Sequence, residues 1–79
     1  MAAPEEIAEE QKKIRQLRTI VDLTAVVLYQ GNLTPLEALE LVEATKKSVL
    51  SLFPDKEETF DLIYKPRFER IIKDRLKSN

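Results

Sequence analysis

The chain has 79 residues, with 13 Lys and Arg against 14 Asp and Glu, a formal net charge of −1, one glycine, and neither histidine nor cysteine. This composition excludes disulfides, Cys- and His-ligated zinc, copper and iron sites, Ser-His and Cys-His nucleophile pairs, and glycine-rich phosphate loops. A single domain of this size buries only about 60% of the surface its unfolded chain exposes, and the main stabilising device left open is a second subunit.

The opening stretch MAAPEEIAEE is acidic and has neither a basic n-region nor a continuous apolar h-region, so it does not read as a secretory leader. No apolar run reaches the roughly 20 residues that span a bilayer. The expectation is a cytoplasmic, single-domain protein over residues 1–79 with no membrane span.

The first helix is predicted over 4–30. Pro4 suits a first turn, and Glu5, Glu6, Glu9 and Glu10 place negative charge where the helix dipole favours it. Ile7, Ile14, Leu17, Val21, Ala25 and Leu28 then draw one apolar stripe, and Gly31 supplies the stop. Up to Arg18 the stripe is narrow and flanked by Lys12, Lys13 and Arg15, whereas IVDLTAVVLY, residues 20–29, is apolar on nearly every side except at Asp22 and Thr24. Those ten residues are also rich in β-branched side chains and admit a strand reading. With no second strand to pair with, helix is preferred.

The second helix is predicted over 35–53. Thr34, Pro35 and Glu37 form a capping box, in which side chains satisfy backbone N–H groups that have no partner inside the helix. Leu39, Val42, Val49 and Phe53, with Ala38, Leu41, Thr45 and Leu52, make the expected buried face, and Pro54 ends it.

The third helix is predicted over 56–77, with Asp55 and Glu58 repeating the capping logic. Phe60, Tyr64, Phe68, Ile71, Ile72 and Leu76 keep one helical phase across Pro66. That continuity predicts one helix kinked near 65–66, and the competing reading is two helices meeting at Lys65. The fold class is therefore all-α: a small bundle of three helices with a long N-terminal helix, completed by self-association.

Constellations for chemistry are weak. Glu37, Glu40 and Glu43 step along the second helix and carry oxygen ligands of the kind Mg²⁺ or Ca²⁺ needs, but at 100° per residue they drift round an exposed face where carboxylates are solvated. No catalytic, cofactor-binding or metal residue is assigned, and the chain does not read as an enzyme.

The stretch YKPRFERIIKDRL, residues 64–76, raises the question of an anionic partner. On a helical wheel its aromatic and aliphatic residues separate from Arg67, Arg70, Lys73 and Lys77, and Glu69 and Asp74 dilute the basic stripe. Tyr64 and Phe68 then belong to packing rather than to base stacking. Charge alternates in blocks instead: acidic over 1–10, basic over 11–18, acidic over 19–64, basic over 65–79.

The favoured function is a protein-protein interaction module whose partner is itself, as a homodimer, or another helical protein. Its candidate interface residues are Ile7, Ile14, Leu17, Val21, Tyr64, Phe68 and Arg75. The alternative, not favoured, is a nucleic-acid or anionic-surface binder using Arg67, Arg70, Lys73 and Lys77, whose signature is a steep loss of binding with salt.

Overall fold

Three helices, and no strand among the described residues, make up the chain in a computed structural model that describes residues 4–77, and side chains over 5–76. Helix α1 spans Pro4–Gln30 and α2 spans Pro35–Leu52. Helix α3 covers 57–77 in three continuous stretches: one α-turn, Glu57–Thr59, a π-helical stretch, Phe60–Tyr64, and an α-helix, Lys65–Lys77. Residues 20–29 are helical throughout, which removes the strand reading.

The capping box at α2 forms as expected: the Glu37 N–H donates to Thr34 Oγ1 at 3.1 Å, and the Thr34 N–H donates to Glu37 Oε1 at 3.0 Å. The Thr34 N–H bond lowers the Glu37 carboxyl pKa from its usual value, and the neighbouring Thr34 hydroxyl lowers it further.

At α3 the expected cap is not made. The Lys56 N–H donates to the Phe53 carbonyl at 3.0 Å, closing a four-residue turn with Pro54 and Asp55 at its centre. Asp55 is therefore spent inside the turn, one residue too early, and Lys56 stands at the cap position without a side-chain bond. Glu57 and Glu58 still supply first-turn negative charge.

Pro66 neither breaks α3 nor splits it in two. Proline lacks an N–H and its ring crowds the carbonyl four residues back. The π-helical stretch, in which the Lys65 N–H reaches back to the Phe60 carbonyl, widens the turn directly before the ring. The phase of Phe60, Phe68 and Ile71 survives, and all three are buried. Leu62 and Ile63 fall outside that face and are exposed.

The core joins all three helices: Val21 and Leu28 from α1, Ala38, Val42 and Val49 from α2, and Phe60, Phe68 and Ile71 from α3. Phe60 is central, its ring 5.9 Å from that of Tyr64 and 6.2 Å from that of Phe68, both tilted. Leu39, expected in the buried face of α2, is half exposed, because the buried positions follow Ala38, Val42, Thr45 and Val49.

Two polar ties fix the helices against one another. Thr24 Oγ1 and Thr45 Oγ1 lie 2.8 Å apart in the interior, and each also lies 2.8 Å from a carbonyl of its own helix, Ile20 and Leu41, so that one hydroxyl donates across to the other while the second donates to its own helix. The Lys46 ammonium meets Asp61 at 2.9 Å (Oδ1) and 3.2 Å (Oδ2), and Glu57 at 3.4 Å. Oδ1 of Asp61 is shut off from solvent and is met by the ion contact, while Oδ2 takes the well-angled hydrogen bond. The bond to Asp61 raises the Lys46 pKa, against the opposing effect of its burial.

Gly31 follows α1 without a left-handed backbone. Its requirement is space instead: a Cβ there would clash with the Val27 carbonyl oxygen. The chain can thus turn tightly enough for the Gly31 N–H to donate to Val27 at 2.6 Å.

Candidate interaction surface

A helix of 27 residues is about 40 Å long, more than this bundle covers. The radius of gyration is 14.5 Å, against about 12 Å for a compact domain of this length. The excess lies at the amino-terminal half of α1, where every residue from 5 to 16 is exposed. Ile7 and Ile14 keep 43% and 47% of their surface open on this projecting half. Both lie on the line, one residue in seven, that continues into the buried Val21 and Leu28. The face that fills the core at one end of α1 is thus bare at the other.

At the junction is an apolar pit of about 270 Å³ lined by Ile14, Leu17, Phe53, Thr59, Phe60 and Tyr64 among others, with Lys56 the charged residue in its lining. Leu17, Phe53 and Tyr64 are half-buried around it. Such a pit accepts an aliphatic side chain rather than a polar ligand.

Charge on the projecting half is arranged in two blocks. Glu5, Glu6, Glu9 and Glu10 are followed within two turns by Lys12, Lys13, Arg15 and Arg18, and all eight are exposed. Lys12 and Arg15 also line, with Lys47, Ile20 and Leu52, an open groove of about 840 Å³ between α1 and α2.

The second half of α1 is only partly covered. Leu23, Val26 and Val27 remain 60%, 48% and 41% exposed on the side of the helix away from Val21 and Leu28, and Tyr29 is exposed as well. These residues are not in the sequence-derived interface set. The signal for them was the all-round apolarity of residues 20–29, since two further helices shield only one side.

The expected interface residues divide. Ile7, Ile14, Leu17 and Tyr64 reach the projecting half and its pit. Val21 and Phe68 do not, because both are buried in the chain's own core and offer nothing to a partner. Arg75 is exposed, and its guanidinium donates at 3.1 Å to the Gly31 carbonyl, an internal contact between the ends of α1 and α3.

Of the candidate anion-binding residues, Arg67, Arg70 and Lys73 are exposed on α3, and the side chain of Lys77 lies outside the described residues. Among the described residues no three carboxylates converge as metal ligands, and no helix is long and apolar enough to cross a membrane.

Compared with protein-family models, curated proteins and solved structures, the chain matches none. The functional reading therefore rests on the surface itself.

Proposed function

We propose that the protein is a helix-mediated interaction module, which presents the exposed side of α1 and the pit at its base to another helical chain and carries out no chemistry of its own. The observation that supports this is the state of α1: one continuous apolar stripe is buried at Val21 and Leu28 and bare at Ile7 and Ile14. Leaving large aliphatic side chains in water forgoes the stabilisation that their burial supplies, roughly 1.5–3 kcal/mol for a fully buried one. A partner that covers them recovers it. The lack of histidine and cysteine supports a role without catalysis.

The test pairs the chain with a variant carrying Ile7→Asp and Ile14→Asp, both on the exposed projecting half. Sedimentation equilibrium and capture from native lysate are run on each. The expected result is an association, with itself or with one retained protein, that the variant loses while keeping its helical circular dichroism. A monomer of 9.1 kDa that retains no variant-sensitive partner overturns the proposal.

A further inference from the structure

Resting on that reading, we infer that the partner is a second copy of this chain, bound antiparallel through the projecting halves of α1, with Ile7 of each copy entering the apolar pit of the other. Three independent features converge on this occupant.

The first is charge. In a parallel pair the acidic block, Glu5 to Glu10, would face its own copy, and so would the basic block, Lys12 to Arg18. Turned antiparallel, each acidic block lies beside the other copy's basic block, within the Debye length of about 8–10 Å over which such charges interact. The helix dipoles then also oppose one another.

The second is register. A two-fold axis crossing between residues 10 and 11 brings Ile7 level with Ile14 of the second copy, over a shared length of about 20 Å. Glu6, Glu10 and Lys13 all lie on the same flank of the Ile7–Ile14 line, and a perpendicular two-fold axis brings like flanks together. Lys13 then falls level with Ala8 of the second copy, between its Glu6 and its Glu10. One charge cluster forms on each side of the axis, each an acid-base-acid arrangement.

The third is shape. Ile14 and Leu17 line the pit, so a side chain level with Ile14 arrives at its mouth. The side chain that arrives in this register is an isoleucine, and the two bundles sit at opposite ends of the shared helix pair. An isologous contact of this kind closes on itself and leaves no open end for further copies.

The charge clusters provide the test. One full-length variant carries Glu6→Lys and Glu10→Lys, and a second carries Lys13→Glu. Each alone places like charges together in both clusters, whereas mixing them regenerates an opposite-charge cluster on both sides of the axis. The dimer dissociation constant by analytical ultracentrifugation should rise about tenfold for each variant alone, and the equimolar mixture should return to within about threefold of the unaltered chain. Circular dichroism checks that each variant keeps its fold.

A dimer whose affinity ignores both swaps, or swaps whose mixture stays weak, overturns the antiparallel arrangement while leaving the interaction reading intact. A monomeric chain that captures a different protein through Ile7 and Ile14 overturns the second copy as partner and again spares that reading. A monomer without any such capture removes both.

Discussion

Arg75, near the end of α3, donates a hydrogen bond to the carbonyl of Gly31, 44 residues earlier and just past the end of α1. The last turn of α1 contains no basic residue of its own, and its carbonyls carry the negative end of the helix dipole. A guanidinium from another helix supplies the missing charge. Arg75→Ala should destabilise the chain by about 1 kcal/mol in urea unfolding, and Arg75→Lys should recover part of that loss. An unchanged midpoint in both would show the contact to be worth nothing in solution.

Thr24 and Thr45 share two hydroxyl protons among three short contacts. Each can satisfy itself on its own helix, so Thr24→Val or Thr45→Val alone should cost only about 1 kcal/mol. The double replacement leaves no orphaned hydroxyl and fills the same volume, and should cost less than the two singles added together. A double-mutant cycle reads that coupling directly, and strict additivity would argue against the pair.

Phe68 and Ile14 separate core from surface. Phe68 is fully buried between α3 and the rest of the bundle, and a Phe→Ala change in such a site costs about 3–5 kcal/mol. That approaches the whole stability of a chain this size, so Phe68→Ala should abolish cooperative thermal unfolding. Ile14→Asp should leave unfolding of the isolated chain cooperative and act on association instead.

Glu37 and Lys46 contribute to the pH response with opposite signs. Glu37 has a folded-state pKa below its ordinary 4.5, so its contribution is present above that value and is lost as pH falls through the lowered one. Lys46 has a folded-state pKa above its ordinary 10.5, so its contribution is full below 10.5 and is lost as pH rises through the raised one. Glu37→Gln, which removes the titrating carboxyl and leaves an amide oxygen to accept from the Thr34 N–H, should flatten the acid limb of a stability-against-pH curve. An acid limb identical in Glu37→Gln would contradict the assignment to Glu37.

Local signals were the legible part of this fold. The capping box of Thr34, Pro35 and Glu37 needs only four consecutive residues and appears as read. The shared phase of Phe60, Phe68 and Ile71 likewise carried α3 through Pro66. What escaped depends on which residues meet across helices. Asp55 looks like a cap until the Phe53–Lys56 bond places it inside a turn. Thr24 looks like an interruption of an apolar stripe until Thr45 is found opposite it.

The candidate surface followed the same division. Periodicity put Ile7, Ile14, Val21 and Leu28 on one line, and it could not say where along that line α2 and α3 end. The structure draws that boundary between Ile14, half exposed, and Val21, buried. Arg75 is read from the sequence as an interface residue, but nothing local in it names Gly31 as the recipient of its hydrogen bond.

Mass in solution bears most directly on the central claim. Sedimentation equilibrium at micromolar concentration and moderate ionic strength should give about twice the 9.1 kDa of one chain, and the paired Ile7→Asp and Ile14→Asp variant should return to the single-chain mass with its helicity intact. A mass of one chain at every concentration, with a cooperative melt and full helicity, would contradict pairing with a second copy.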